Sequence, residues 1–158
     1  MTQVGADAVS LSEKVVLVTG GARGIGLAIA RPDRLVLVVT GDGEMLMGMG
    51  ALATVAVERP PNLAIVVFDN ASYAETGMQP SHTRGGVSLS GVARACGIDA
   101  VFDITDEAAL GEFAARLHEF DRTVFARVAI RADEPPRVLP SRDGVHLKNR
   151  FRRALGVE

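Results

Sequence analysis

The chain has 158 residues, 47% of them hydrophobic, which suits one domain with a sizeable core. Its 17 basic and 19 acidic residues leave a formal net charge of −2, giving no reason to expect nucleic acid or an acidic membrane surface as a partner. The single cysteine, Cys96, forms no intramolecular disulfide, no apolar run reaches the ~20 residues of a membrane span, and residues 1–12 lack the regions of a signal peptide, so a cytoplasmic protein is expected.

Residues 1–12 are expected to be flexible. Val15 to Thr19 is rich in β-branched residues and reads as a strand, and Gly21 to Arg31 reads as a helix stopped by Pro32. Leu35 to Val39 and Leu63 to Phe68 are continuous apolar runs, the pattern of parallel strands covered on both faces. Between them Glu44 to Glu58 is rich in helix formers and ends before Pro60-Pro61. Its Met45, Met49, Leu52 and Ala56 recur at three- and four-residue steps, a stripe that reads as core or subunit interface rather than a cofactor-binding face. Asn70 to Gly86 is rich in Gly, Pro, Ser and Thr and reads as a loop.

Ser88 to Cys96 follows as a helix ended by Gly97, Val101 to Ile104 as a short strand, and Thr105 or Asp106 as the cap of a helix reaching about Glu119. Thr123 to Ile130 is a further strand, Arg131 to Asp143 with its three prolines an extended connection, and Val145 to Leu155 a basic helix. This alternation predicts an α/β fold, a single three-layer domain over residues 1–158 whose mainly parallel sheet joins the strands beginning at Val15, Leu35, Leu63 and Thr123.

The chemistry-bearing feature is Gly41-Asp42-Gly43, which closes one apolar run while Asp69-Asn70 closes the next. Asp42 and Asn70 lie 28 positions apart, a strand-helix-strand interval, so both are expected at the carboxyl ends of neighbouring strands, the edge where open α/β sheets bind ligands. A carboxylate, an amide oxygen and a nearby backbone carbonyl suit Mg²⁺, a hard cation commonly shared between protein oxygens and substrate phosphates. Each residue alone has a plainer reading, Asp42 as a helix cap and Asn70 as a turn former; their pairing at two strand ends favours the metal.

These residues resemble the thiamine diphosphate-binding motif, GDG followed further on by an Asn-containing pair. From about residue 26 to residue 158 the stretches GLAIARPDRLVLVVTGDGEMLMGMGALATVAVERPPNLAIVVFDNASYAETGMQPSHT and VHLKNRFRRALG are similar to the diphosphate-binding domain of 2-oxo acid decarboxylases, of the phosphonopyruvate and sulfopyruvate kind. The resemblance implies thiamine diphosphate and Mg²⁺ as cofactors, with Asp42, Asn70 and the backbone carbonyl of Ser72 as metal ligands. It places Gly41, Gly43 and Glu44 against the diphosphate, bound by backbone N–H groups at the start of a helix. Tyr73 and Glu75 fall where cofactor or substrate contacts are made, Tyr73 having a packing role as its alternative. His82, in the loop, is a catalytic candidate that would donate to a substrate carboxylate or sulfonate, against a solvated loop histidine. His118, His146 and the run Arg150, Arg152 and Arg153 read as surface.

In that family the activating glutamate comes from a separate pyrimidine-binding domain. The resemblance therefore implies a β-type subunit of a carboxy-lyase, acting on a 2-oxo acid within a hetero-oligomer or a homodimer and inactive alone. Met45, Met49 and the loop Tyr73 to Thr83 would form the apolar face that a partner covers.

Residues 11–26 differ in kind. Thr19-Gly20-Gly21-Ala22-Arg23-Gly24-Ile25-Gly26 resembles the TGxxxGIG turn of short-chain dehydrogenases, in which glycines let a pyrophosphate approach a helix N-terminus. That family's Tyr-x-x-x-Lys pair is missing, since Tyr73 is followed four positions later by Gly77. The decarboxylase family's Gly-Ser-Met-Gly-like turn would fall near Val15 to Val18, so residues 11–26 replace its usual first strand and turn. A dehydrogenase-like nucleotide-binding module and an inactive fusion product are the alternative readings.

Overall fold

Five apolar runs pair into one parallel sheet in the computed structural model, which describes residues 15–19, 24–133, 139 and 141–157. The expectations for residues 1–12, for the turn at 20–23 and for the prolines of the last connection lie outside the described residues. In chain order the elements are β1 (Val15–Thr19), α1 (Gly24–Ala30), β2 (Leu35–Gly41), α2 (Asp42–Met47), α3 (Ala51–Glu58), β3 (Leu63–Asp69), β4 (Ser72–Tyr73), β5 (Gln79–Pro80), α4 (Leu89–Ala95), β6 (Ala100–Ile104), α5 (Glu107–Arg116), β7 (Val124–Ala129) and α6 (Gly144–Ala154). None of the described helices is long and apolar enough to cross a membrane.

The sheet order is β1-β2-β3-β7-β6, with every neighbouring pair parallel. The chain steps one way across the sheet from β1 to β3, passes a position to reach β6, and then steps back to β7. Crossovers between parallel strands keep one hand, so helices laid down in the forward direction share a face and the helix of the backward step takes the other. The packing follows this rule. Ile25 and Ala28 of α1, Leu52, Val55 and Ala56 of α3, and Leu89 and Ala93 of α4 meet Val36, Val38, Leu63, Ile65, Val67 and Phe125 on one face. Phe113 of α5 and Leu117 after it meet Ala64, Val66, Ile104, Val124, Ala126 and Val128 on the other. There Phe102, Phe113 and Phe120 pack with ring centroids 5.4 to 6.0 Å apart. Each large apolar side chain so buried contributes roughly 1.5–3 kcal/mol, which is what holds helices to both faces.

Two features of the packing fix where α1 and β3 sit. A Cβ on Gly24 would lie 2.1 Å from a Val38 methyl carbon, so α1 approaches β2 at a distance only glycine permits. The side-chain amide of Asn62, just before β3, donates to the carbonyls of Ala28, Arg31 and Arg34 at 2.8 to 3.0 Å, fastening the end of α1 and the start of β2 to β3.

The structure departs from the sequence expectation in several elements. The helix expected over Glu44 to Glu58 is two helices, because Gly48 and Gly50 interrupt it. Gly48 caps α2 with its N–H on the Glu44 carbonyl at 3.0 Å, and the apolar period runs on across the break. The loop expected over Asn70 to Gly86 contains a small antiparallel ladder of β4 with β5 and two 3-10 turns, Ala74–Thr76 and His82–Gly85. Of the two residues expected to cap α5, Asp106 does so as expected, its carboxylate accepting from the Ala109 N–H at 2.9 Å.

Candidate functional site

β2 and β3 end side by side, with Gly41 in register with Phe68, so Asp42 and Asn70 emerge at the same carboxyl edge of the sheet. They line a cleft of about 550 Å³ together with Gly41, Gly43, Glu44, Met47, Ser72, Tyr73 and Glu75. Ile130, just beyond β7, closes its far side.

Asp42 is only 2% exposed, yet it caps nothing: α2 has Gly41 at its N-cap and no side-chain cap bond. Its Oδ2 instead accepts from the Ser81 hydroxyl, and Thr83 Oγ1 lies 3.3 Å from the same oxygen. Among the described residues no hydrogen bond reaches the other oxygen, Oδ1, and Asp42 lines the cleft.

Behind Asp42 sits a second carboxylate. Asp69, at the end of β3, accepts from Arg127 at 2.6 Å on Oδ2, and from the Thr83 hydroxyl at 2.8 Å and the Ala71 N–H at 3.0 Å on Oδ1. Burial pushes its carboxyl up, but the hydrogen bonds from Arg127, Thr83 and Ala71, with the Arg127 charge, outweigh this and hold it below the usual carboxylate range.

Asn70 makes the local turn that its residue type favours, its Oδ1 accepting the Ser72 N–H at 2.9 Å, and Ala71 takes a left-handed φ of 56°. An amide oxygen has a second lone pair, which the turn leaves free for a cation. Ser72 and Pro80 are a non-hydrogen-bonded pair of the small ladder, flanked by the Ser81 N–H on the Ala71 carbonyl at 3.1 Å, so the Ser72 carbonyl points away from β5. Arg84 donates to the Ser72 hydroxyl at 2.8 Å. Glu44 accepts from Thr40 at 2.5 Å, which turns its carboxylate back toward the end of β2. Gly43 packs under the Tyr73 ring: a Cβ there would come 2.6 Å from its Cδ1.

His82 does not line the cleft. Its Nδ1 lies 3.0 Å from the Tyr73 hydroxyl, so it touches the site through that ring. Met45, Leu52 and Ala56 are core, with Met49 packed against them. The expected partner-covered face around Met45 and Met49 is therefore corrected. The exposed methionine at the cleft is Met47, 79% exposed because it falls on the opposite side of α2 from Met45. His118 and His146 are exposed, as read from the sequence.

Ser81, Thr83 and Arg127 were not singled out from the sequence. Arg127 carried a signal, a lone arginine inside a strand otherwise apolar, since a charge in such a place is normally paired. Ser81 carried none, because its partner lies 39 positions earlier.

A hard cation takes oxygen ligands, and Asp42 Oδ1, the Asn70 amide oxygen and the Ser72 carbonyl are oxygens on one rim. Among the described residues no three His, Cys, Asp or Glu side chains gather to hold a metal, so a cation here would complete its shell with phosphate or water oxygens. The donor set and the cleft fit a metal-bound diphosphate.

Residues 18–128 match the family described as thiamine pyrophosphate enzyme, C-terminal TPP binding domain; the chain belongs to that family. Thiamine pyrophosphate, also called thiamine diphosphate, is the cofactor of the family, with Mg²⁺ its usual metal. The chain is 38% identical over 96 residues to the sulfopyruvate decarboxylase subunit beta of Methanocaldococcus jannaschii, covering 61% of this chain and 50% of that one. It is 39% identical over 113 residues to the phosphonopyruvate decarboxylase of Streptomyces viridochromogenes, covering 71% of this chain and 28% of the relative. It thus spans about half the length of the first of these and less of the second. Among solved structures, benzoylformate decarboxylase from Polynucleobacter necessarius superposes with a TM-score of 0.59 at 19% identity, over 72% of this chain and 24% of that chain, a likeness of fold.

Proposed function

We propose that this chain holds thiamine diphosphate through Mg²⁺ and serves as the diphosphate-binding part of a 2-oxo acid decarboxylase of the sulfopyruvate or phosphonopyruvate type. The observation that carries the reading is Asp42, a buried carboxylate held on one oxygen by Ser81 and with no donor among the described residues on the other, lining one cleft with Asn70 and Ser72. In this reading Asp42, Asn70 and the Ser72 carbonyl ligate the metal, and Gly41, Gly43 and Glu44 border the diphosphate. The names of the relatives, sulfopyruvate decarboxylase subunit beta and phosphonopyruvate decarboxylase, support the reaction class.

When bound, the cofactor supplies the nucleophilic carbon and the electron sink that loss of CO₂ from a 2-oxo acid requires. The chain's own residues do the holding. Asp42 would offset metal charge, the N–H groups at the start of α2 would bind the diphosphate, and Tyr73, packed over Gly43, forms one wall of the cleft. Met47 and Ile130 give the mouth an apolar border that a covering surface would dry, keeping solvent protons from the site. We assign that cover to a pyrimidine-binding subunit carrying the activating glutamate.

The test is CO₂ release from sulfopyruvate, phosphonopyruvate and pyruvate by the purified chain, with and without a co-expressed α-type subunit. Turnover is expected only with the subunit and only with Mg²⁺ present. Robust turnover by the chain alone would contradict the two-subunit assignment, and inactivity in every combination would contradict the decarboxylase.

A further inference from the structure

The metal ligands proposed above come from two separate pieces of backbone. Asp42 opens α2, whereas Asn70 and Ser72 belong to the turn after β3. The two pieces meet where Gly43 packs under Tyr73, and one buried residue hydrogen-bonds to both. The Ser81 hydroxyl donates to Asp42 Oδ2, and the Ser81 N–H donates to the carbonyl of Ala71, the residue between Asn70 and Ser72, at 3.1 Å.

Counting protons shows why this contact is not shared. Thr83 Oγ1 lies 2.9 Å from Ser81 Oγ, 3.3 Å from Asp42 Oδ2 and 2.8 Å from Asp69 Oδ1, and has one proton to give. The shorter charge-assisted contact takes it, to Asp69. Among the described residues Asp42 is then left with a single side-chain donor, Ser81, on a single oxygen. Thr83 in turn is backed by Asp69 and Arg127, whose ion pair stiffens the wall behind Ser81.

We propose that Ser81 is the positioning residue of the metal site: it pins Oδ2 of Asp42, turns Oδ1 toward the cation, and sets the gap between Asp42 and the 70–72 turn. This rests on the metal reading of Asp42 and Asn70. Mg²⁺ demands near-ideal octahedral distances whereas Ca²⁺ tolerates longer and irregular ones, so loosening the gap should cost Mg²⁺ more than Ca²⁺.

The experiment titrates Mg²⁺, and separately Ca²⁺, into chain plus thiamine diphosphate and reads cofactor binding by calorimetry, for wild type, Ser81→Ala, Ser81→Thr and Asp42→Ala. Residues that orient a metal ligand typically change metal affinity ten- to a hundredfold, so Ser81→Ala should raise half-saturating Mg²⁺ about tenfold or more. The Ca²⁺ value should rise less, shrinking the preference for Mg²⁺. Ser81→Thr, which keeps the hydroxyl, should restore the preference; should it fail to fold, the Mg²⁺ to Ca²⁺ ratio in Ser81→Ala decides alone. Melting in EDTA separates general loosening from the metal effect. Binding lost in Asp42→Ala but unaltered in Ser81→Ala, or an equal rise for both metals, would overturn this inference and leave the cofactor reading standing. No metal-dependent binding by wild type would overturn both.

Discussion

Asp69 keeps its charge in a buried setting because three donors surround it, one of them the arginine Arg127, and this has a consequence in acid. A folded carboxyl held below the unfolded value of ~3.9 stabilises the fold fully above that pH and loses its contribution as pH falls through the lower, folded value. Asp69→Asn should be less stable at pH 7 and should lose less stability than wild type between pH 4 and pH 2. Denaturant midpoints in EDTA measure both, and parallel curves would refute the assignment. Gly43 offers a steric test at the same scale. Gly43→Ala drives a methyl into the Tyr73 ring and should cost about 1–3 kcal/mol, the usual price of overpacking. Adding Tyr73→Ala should make the pair less than additive; full additivity would mean that the ring and Gly43 do not meet.

At the scale of elements, what was legible in the sequence was what repeats along it. The continuous apolar runs of β2 and β3 and the residues at their ends placed Asp42 and Asn70 on one edge, because buried parallel strands advertise themselves by composition. The break between α2 and α3 was hidden for the converse reason: Met45, Met49, Leu52 and Ala56 keep one helical period across Gly48 and Gly50. Long-range polar contacts leave no period at all. Ser81 on Asp42 and Asn62 on α1 are single residues whose partners lie 39 and 28 to 34 positions away, so only the folded chain reveals them. Asn62 therefore gives an element-scale prediction. Asn62→Ala removes the amide whose two N–H groups serve three carbonyls at the junction of α1, β2 and β3, of which that of Arg31 keeps a second donor, the Arg34 N–H. The loss should lower stability by roughly 1–3 kcal/mol. An unchanged denaturant midpoint would show that the junction is held by packing alone.

For the whole molecule, the reversal of direction between β6 and β7 puts α5 behind the sheet and leaves the carboxyl ends of β2, β3 and β7 grouped around one cleft. The pairing of the β2 and β3 ends was expected from the spacing of Asp42 and Asn70, whereas the end of β7 and the apolar rim of Met47 and Ile130 were not, since exposure on a short helix is set by how it docks. The most direct measurement is calorimetric titration of thiamine diphosphate into wild type and Asp42→Ala, each with Mg²⁺ and with EDTA. Saturable binding is expected for wild type with Mg²⁺ and in no other combination, and the same affinity in EDTA or in Asp42→Ala would contradict a cofactor held through a metal on Asp42.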